Sequence, residues 1–181
     1  MWRSRTRTVL IALVLLVVPT PAGAVEISTG MSFGGILAGR APRLAVTPQG
    51  GIAWTTSGGF LFAAHEMISI LPPINNDGLG VYGLGVYEQT AVVIGYAAKT
   101  HDFSVGPSLS IYSMPACGAT LCGRVVGLGP GAHAQVNVYL YGRLGVSVNA
   151  TVDWVGGRSM VLPGGVAVMV VAGPVLRWMP E

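Results

Sequence analysis

The sequence predicts an all-β chain that folds as an antiparallel up-and-down transmembrane β-barrel of about eight strands. Of the 181 residues, 51% are hydrophobic and only 9% are charged, whereas a soluble globular domain has roughly 25% charged residues. After residue 24 no apolar run approaches the ~20 residues of a membrane-spanning helix. Apolar residues instead alternate with small or polar ones, as in LGVSVNATVDW over residues 144–154. In lipid this pattern requires a closed barrel, because an open strand edge would leave backbone groups without hydrogen bonds.

The chain begins with a predicted secretory signal. MWRSRTRT carries three arginines and no acidic residue, an apolar run follows from Val9 to Val18, and Ala22-Gly23-Ala24 fits an A-x-A cleavage site. An uncleaved membrane anchor is the alternative, but the apolar run has only about half the ~20 residues that a spanning helix needs. We therefore expect residues 1–24 to be a cleavable signal peptide and residues 25–181 to form a single β-barrel domain.

Removal of the signal changes the charge balance. Of the 10 basic residues, Arg3, Arg5 and Arg7 lie in the signal, which leaves 7 basic against 7 acidic residues. The mature chain is therefore nearly neutral and keeps no run of basic residues. The pI of 9.1 for the whole chain gives no indication of nucleic-acid binding.

Alternation places eight strands in order along the mature chain. They span residues 25–38, 43–56, 59–70, 79–98, 102–114, 123–140, 143–155 and 165–178. The tight turns SGG, KTHD and YGR alternate with the longer connections LPPINNDG, residues 115–122 and GGRSMVLPG, and the first connection, GRAP, is intermediate. This alternation is typical of membrane barrels, in which the short turns and both termini share one end.

The third and fourth strands have the least regular patterns. In FLFAAHEMISIL, four residues fit a helix as well as a strand: Phe60, Ala64, Met67 and Leu71. In a strand, Glu66 would face lipid at a cost of ~2 kcal/mol. The fourth strand, residues 79–98, exceeds the ~9–11 residues that cross a bilayer. We expect its first half to project from the membrane.

Two hairpins can be given a register, because directly opposed residues share a face. Closing the sixth and seventh strands at Tyr141-Gly142-Arg143 opposes Val138 to Val146, Val136 to Val148, Ala134 to Ala150, Asn137 to Ser147, Gln135 to Asn149 and His133 to Thr151. A turn around His101-Asp102 opposes Ile94 to Leu109, Val92 to Ile111, Gly95 to Ser108 and Lys99 to Ser104. Both registers separate an apolar face from a polar one.

Three prolines lie inside proposed strands, each directly after a glycine: Pro107, Pro130 and Pro174. A proline cannot donate to the strand ladder, and a closed barrel has no edge strand to accommodate it. We therefore expect local bulges at these positions.

The polar face consists mostly of Ser, Gly, Asn, Thr and Gln with few charges, which suits a crowded lumen better than contact with bulk water. We therefore expect the polar face to point inward and the apolar face to contact lipid. Five aromatic residues on the apolar face support this orientation, because they lie near the short turns or the C-terminus as a girdle at one membrane interface: Trp54, Phe60, Tyr96, Phe103 and Trp178. Trp154 and Tyr82 are expected at the opposite interface.

The lumen is expected to hold a ladder of polar side chains: His133, Gln135, Asn137, Ser147, Asn149, Thr151 and Asp153. A general base at His133, oriented by Asp153, is the alternative to a structural hydrogen-bonding role. We favour the structural role because no serine or cysteine nucleophile is evident beside His133. Where the last strand meets the first, Glu26 and Arg177 share the inward face, and we predict an ion pair that fixes the barrel register.

Cys117 and Cys122 bracket Gly-Ala-Thr-Leu in a loop on the exported side. We expect a disulfide that closes this hairpin. A metal site would need more ligands than these two cysteines. No metal and no cofactor is expected.

The signal, the eight alternating segments, the girdle and the C-terminal strand VMVVAGPVLRW resemble the small eight-stranded outer-membrane β-barrel proteins of Gram-negative bacteria over the whole mature chain. The resemblance implies export by the general secretory route, insertion by the outer-membrane assembly machinery and location in the outer membrane. The chain departs from the family at its end, where Met-Pro-Glu follows Trp178 in place of a terminal aromatic residue. It also lacks the His-x-Ser pair of lipid A deacylases, since Ala134 and Gln135 follow His133.

The leading functional hypothesis is an integral outer-membrane barrel without enzymatic activity, which has a structural or surface-interaction role through its external loops. Its expected partners are the lipid bilayer and the assembly machinery, not nucleic acid, and the sequence does not identify the partner of the loops. One alternative is a secreted soluble β-barrel that binds an apolar ligand and has its faces inverted. Another is a lipid-modifying outer-membrane enzyme built on Glu66 and His65. Eight strands leave room only for side chains, so we expect no open pore.

Overall fold

The computed structural model describes residues 23–38, 41–76, 80–82, 84–117, 122–159 and 162–179. In these residues every regular element is a β-strand: β1 (Gly23–Ala38), β2 (Ala41–Thr56), β3 (Phe60–Leu71), β4 (Ile74–Asn76), β5 (Gly80–Tyr82), β6 (Gly85–Ala97), β7 (His101–Cys117), β8 (Cys122–Tyr141), β9 (Leu144–Ser159) and β10 (Leu162–Trp178). The described residues include no helix that is long and apolar enough to cross a membrane. The predicted signal peptide lies outside them, except for Gly23 and Ala24 at the start of β1.

Eight of the strands form one closed antiparallel barrel in the order β1-β10-β9-β8-β7-β6-β3-β2, in which β2 pairs again with β1. Neighbours in the sequence are neighbours in the barrel, apart from β4 and β5. These two short strands form a separate hairpin between β3 and β6. The predicted all-β, up-and-down barrel of eight strands is therefore confirmed.

The stagger of the strands sets the width of the barrel. A row of directly opposed residues runs around the wall from Asp153 in β9 through Gly131, Ser108, Ala91, His65, Gly51, Ser28 and Arg177. The row closes when the Arg177 amide donates to the Arg143 carbonyl at 2.8 Å. Because the row began at Asp153 and returns to β9 near Arg143, the strands are staggered by ten residues around the barrel. An eight-stranded barrel with such a tilt encloses an interior that side chains can fill.

The segments around residues 60–98 differ in part from the sequence prediction. Residues 60–71 form a strand, so the alternative of a helix there is wrong. The predicted single strand over residues 79–98 is also wrong, because Gly80–Tyr82 pairs with Ile74–Asn76 outside the barrel and only Gly85–Ala97 belongs to the wall. The glycine-rich stretch GLGVYGLGVY keeps an alternating pattern across a break in the strand, and alternation alone does not reveal the break.

The β6–β7 register is displaced from the prediction by four residues. Ile94 lies opposite Val105 instead of Leu109, and Gly95 lies opposite Ser104 instead of Ser108. The reason is the turn: the Ala98 amide donates to the His101 carbonyl at 2.7 Å, which centres the turn on Lys99-Thr100, two residues earlier than predicted. A displacement of four keeps every side chain on its predicted face, since faces alternate with a period of two.

The β8–β9 register agrees with the prediction. All six predicted pairs are present, from Val138 opposite Val146 to His133 opposite Thr151. An irregularity between Tyr139 and Tyr141 lies next to the turn and leaves these pairs unchanged.

The three prolines are accommodated without the predicted bulges. Each keeps its register with one neighbouring strand: Pro107 opposite Ala132, Pro130 opposite Leu109 and Pro174 opposite Val146. On the other side, the pairing is interrupted beside Pro107, between the pairs Ala91–Ser108 and Ile94–Val105, and beside Pro174, and the register is the same before and after each gap. Beside Pro130 the β8–β9 pairing ends at Gly131–Asp153. The expectation of bulges is therefore wrong, because one-sided loss of pairing is enough to accommodate a missing amide.

The glycine before each proline lies against a carbonyl of the neighbouring strand on the interrupted side. A Cβ on Gly106 would overlap the Val92 carbonyl oxygen, one on Gly173 would overlap that of Met31, and one on Gly129 would lie 2.6 Å from that of Trp154. The Gly-Pro pairs thus combine a residue without an amide N–H with a residue that permits close approach of the next strand.

We predict that Gly106→Ala and Gly173→Ala each lower the free energy of unfolding by about 1–3 kcal/mol, because the added methyl group forces the neighbouring strand outward. Gly35→Ala is the matched control, since its Cβ would lie at an ordinary 3.5 Å from the nearest atom, the Arg43 carbonyl oxygen. Urea titration of protein folded into liposomes measures the difference. Equal stability of all three variants would contradict the close approach.

The interior of the barrel contains two apolar clusters. The first lies toward the longer connections and contains Ile36, Ala45, Met67, Leu71, Tyr87, Tyr112, Ala167, Met169 and Val171. The second is formed by Leu61, Ala63, Ala91 and Val93, with Ala53 and Ala97 packed against it. Polar side chains occupy the lumen beside and between these clusters.

Candidate functional site

The outer surface of the barrel is apolar. In β9 the side chains of Val146, Val148 and Val152 are 43–49% exposed, whereas the adjacent Asn149 is 1% exposed inside. The same alternation holds for Ser108, which is buried in the lumen. This is the predicted orientation of the two faces, and it contradicts the inverted arrangement that a soluble ligand-binding barrel requires.

Aromatic side chains ring the outer surface near the short turns. Phe60, Tyr96 and Phe103 lie side by side on β3, β6 and β7, because Tyr96 is directly opposite both of the other residues. Trp178 is opposite Ile27 on β1, and the ring of Trp54 lies 5.5 Å from that of Phe62. The structure thus places all five predicted girdle residues at this end of the barrel.

Only one of the two residues expected at the opposite interface lies on the wall. Trp154 is 59% exposed on the outer face of β9, toward the longer connections. Tyr82 belongs to β5 outside the barrel, so its predicted place on the outer wall is wrong.

Glu66 and His65, the pair that a lipid-modifying site would use, are divided between the two faces. Glu66 is on the outer face, where the Thr90 hydroxyl donates to its carboxylate at 2.7 Å. His65 points into the lumen, where its ring centroid lies 5.8 Å from that of His133. The two side chains therefore do not form one site.

The lumen near the short turns holds a charged cluster that links four parts of the wall. Arg177 on β10 lies 3.6 Å from the Glu26 carboxylate on β1. The same guanidinium lies 3.8 Å from the ring centroid of Tyr139 on β8 and donates to the Lys99 carbonyl at 3.4 Å. The predicted seam pair is thus brought together, with two additional contacts that sequence reasoning did not anticipate.

Asp102 completes this cluster and was not among the predicted lumen residues. It accepts hydrogen bonds from the Tyr139 hydroxyl at 2.9 Å and from the Asn137 amide at 2.7 Å. Its alternation with Phe103 places it on the inward face, a signal that the turn assigned to His101-Asp102 obscured. Tyr139 lies two residues after Asn137 in β8, so the alternation of faces places it on the inward face as well.

Amide and hydroxyl groups form a connected network in the middle of the lumen. Asn149 donates to Ser147 at 2.9 Å and, across the barrel, to Gln49 at 2.8 Å. Gln135 donates to Ser147 at 3.1 Å and to Asn137 at 3.2 Å. Four of the predicted ladder residues are therefore linked to one another, and Gln49 joins them from the opposite wall.

Asp153 belongs to a separate network nearer the longer connections. Its carboxylate accepts hydrogen bonds from the Tyr87 hydroxyl, from Gln89 at 3.0 Å and from Ser108 at 2.9 Å. Tyr87 also contacts the Ser110 hydroxyl at 2.8 Å. Sequence reasoning missed Tyr87 and Gln89, which approach Asp153 from strands that are distant in the sequence.

His133 does not contact Asp153 in this arrangement. The hydrogen-bonding partners of Asp153 come from β6 and β7, and the structure gives the ring nitrogens of His133 no partner among the described residues. The Thr151 hydroxyl, opposite His133, likewise has none there. A general base at His133 oriented by Asp153 is therefore not supported by the geometry.

Comparison with known proteins identifies the architecture. No protein-family model and no curated protein sequence matches the chain. Neisserial surface protein A has a TM-score of 0.57 at 9% identity, over 87% of this chain and 98% of that protein. The chain has the fold of the small eight-stranded outer-membrane β-barrels.

Two further solved structures share this outer-membrane barrel fold. The N-terminal β-barrel domain of Pseudomonas aeruginosa OprF has a TM-score of 0.54 at 11% identity, over 86% of this chain and 97% of that domain. Ail, the attachment invasion locus protein of Yersinia pestis, has a TM-score of 0.52 at 8% identity in its complex with the heparin analogue sucrose octasulfate, over 86% and 99% of the two chains. At these identities the likeness concerns the fold alone.

The described lumen contains small cavities. Two internal cavities have volumes of about 10 Å³ each, about the space that one water molecule requires. The first apolar cluster, which includes Leu71 and Tyr112, lies between these cavities and the longer connections.

The structure describes the backbones of the two cysteines but not their side chains. The backbones of Cys117 and Cys122 are directly opposed at the ends of β7 and β8. Their side chains lie outside the described part of the molecule, so the disulfide stays a prediction. Within the described residues, no group of His, Cys, Asp and Glu side chains is arranged to hold a metal ion.

Proposed function

We propose that this protein is an integral outer-membrane β-barrel that is exported by its signal peptide, inserted by the assembly machinery and embedded in the lipid bilayer. The observation that carries the proposal is the orientation of the two faces. Large apolar side chains are exposed on the outer wall, from Leu44 on β2 to Val170 on β10, while amide, hydroxyl and charged groups are buried inside. A protein with such an apolar surface would aggregate in water, whereas contact with the hydrocarbon of a bilayer stabilises it.

Cell fractionation tests this proposal. The protein is expected in the outer-membrane pellet, to require detergent for extraction, and to migrate differently on a detergent gel before and after heating. Recovery in the soluble periplasm or the medium would refute a membrane barrel. Protease treatment of intact cells is expected to cleave the connections at residues 39–40, 72–84, 118–121 and 160–161 and to spare the short turns.

We propose a structural or surface-interaction role without enzymatic activity. Many polar groups in the lumen are hydrogen-bonded to one another, and the carboxylate of Asp153 already accepts three hydrogen bonds. The two lumen cavities, at about 10 Å³ each, are about the size of one water molecule and are too small for a substrate. The external connections are the parts of the chain that remain for recognition of a partner.

We further propose that the partner of these connections is an anionic saccharide, sulfated or phosphorylated. In the sequence, four arginines lie in or next to the longer connections, namely Arg40, Arg43, Arg124 and Arg158, of which Arg43 also donates to the Pro72 carbonyl at 3.0 Å. The connections themselves contain one acidic residue, Asp77. This excess of guanidinium groups favours sulfate or phosphate groups, which arginine binds through paired hydrogen bonds.

We predict that Arg124→Gln with Arg158→Gln weakens binding of sucrose octasulfate about a hundredfold or more at low salt, since each of the two lost charge-assisted contacts contributes about 1.5–3 kcal/mol. Isothermal titration of the detergent-solubilised protein measures this, and added salt should weaken wild-type binding. Arg143→Gln, in the β8–β9 turn at the opposite end, is the matched control. No binding by the wild type, or equal loss in the control, would refute the anionic partner.

A further inference from the structure

Three amide side chains meet around one of the two lumen cavities. This cavity of about 10 Å³ is lined by Gln49 on β2, Gln135 on β8 and Asn149 on β9, together with His65 on β3. Gln135 and Asn149 are 4% and 1% exposed, so neither reaches solvent outside the barrel. Side chains from four strands thus converge on a space about the size of one water molecule.

Hydrogen bonds within the wall fix which end of each amide faces the cavity. Asn149 uses its nitrogen to donate to Gln49 Oε1 at 2.8 Å and to Ser147 at 2.9 Å. Gln135 uses its nitrogen to donate to Ser147 at 3.1 Å and to Asn137 at 3.2 Å. The opposite ends, Gln135 Oε1, Asn149 Oδ1 and Gln49 Nε2, are buried and have no partner among the described residues.

We propose that this cavity is a binding site for a single ordered water molecule. Two of the free atoms are acceptors and one is a donor. A water molecule donates two hydrogen bonds and accepts others, so it satisfies Gln135 Oε1, Asn149 Oδ1 and Gln49 Nε2 together. A cation would be repelled by the N–H of Gln49, and an anion by the two carbonyl oxygens.

The second cavity adjoins this site. It shares Ser28 and His65 with the first cavity and continues past Glu26, Asp102 and Tyr139 toward the short turns. The second cavity therefore lies between this site and the charged cluster. The first apolar cluster lies on the other side of the site, where Met67 belongs both to the cluster and to the cavity lining.

A crystal structure of the detergent-solubilised wild-type protein tests the site, with matched crystals soaked in rubidium chloride and in sodium bromide. We expect one density peak within about 2.7–3.2 Å of Gln135 Oε1 and of at least one of the other two free amide atoms. We expect no anomalous signal from rubidium or bromide at that position. An absent peak, a peak without these contacts, or an anomalous signal would overturn the proposal.

Two glutamine-to-methionine variants, one at the cavity and one elsewhere in the lumen, distinguish loss of the water site from the general effect of removing a buried amide. Gln135→Met keeps the length of the side chain and removes the acceptor, so the peak is expected to disappear. Gln89→Met removes another buried amide, which binds Asp153 and does not line the cavity, so the peak is expected to remain. Persistence of the peak at full occupancy in Gln135→Met would overturn the assignment of the site.

Discussion

Val148→Arg is expected to destabilise the barrel in a bilayer by about 2–4 kcal/mol. Val148 is 44% exposed on the outer face, near the middle of the segment between Leu144 and Trp154. An arginine there must carry its charge into the hydrocarbon or distort the lipid around it. Urea titration of the protein in liposomes, followed by tryptophan fluorescence, measures the change in the free energy of unfolding.

Tyr141→Arg is the matched control for this substitution. Tyr141 is 81% exposed at the end of β8, beside the short turn, where an arginine reaches the membrane interface. The expected cost is about 0–1 kcal/mol, because the penalty for a charge falls toward the interface. Equal, small costs at both positions would show that Val148 does not face hydrocarbon.

Arg177→Met is expected to lower the free energy of unfolding by about 3–5 kcal/mol, since it leaves a buried charge without its partner. The side chains of Arg177 and Glu26 are 6% and 10% exposed, and their charged groups lie 3.6 Å apart. The substitution also removes the contact with the Tyr139 ring and the hydrogen bond to the Lys99 carbonyl. The same liposome titration provides the measurement.

The double variant Glu26→Gln with Arg177→Met separates the ion pair from the packing of Arg177. The stranded carboxylate is then absent, and we expect the double variant to recover more than half of the lost stability. If the double variant is as unstable as Arg177→Met, the cost arises from lost packing against Tyr139 instead. If Arg177→Met is as stable as the wild type, the pair does not fix the seam.

The period of two was enough to predict which side chains line the lumen. It places Ser147, Asn149 and Thr151 inside and Val146 and Val148 outside without any knowledge of the neighbouring strands. The β8–β9 register was predictable for a further reason, because the short turn at Gly142 leaves little freedom in pairing. The faces and this hairpin are therefore local properties of the sequence.

Strand registers that depend on a longer turn were harder to predict from the sequence. A displacement of four residues between β6 and β7 preserves every face, so the pattern of Ile94, Val105 and Leu109 fits either pairing. The backbone hydrogen bond from Ala98 to His101 in the turn accompanies the observed register. The prediction for the prolines failed for a related reason, because loss of pairing on one side leaves no trace in alternation.

Contacts across the lumen were the least predictable part of the candidate site. They depend on the ten-residue stagger around the barrel, which results from all eight registers together. Tyr87 reaches Asp153 across a separation of 66 residues, and Gln49 reaches Asn149 across a separation of 100. His133 consequently lies beside His65 and not beside Asp153.

The orientation of the apolar face is the central claim, and spin labels on its outer side test it most directly. Single cysteines at Val146, Val148 and Val152, with Cys117 and Cys122 replaced by serine, carry the label in protein folded into liposomes. We expect each label to be readily accessible to oxygen and protected from a water-soluble nickel chelate, with the largest contrast at Val148. Low accessibility to both reagents, as in a protein core, or high accessibility to the chelate would contradict the account.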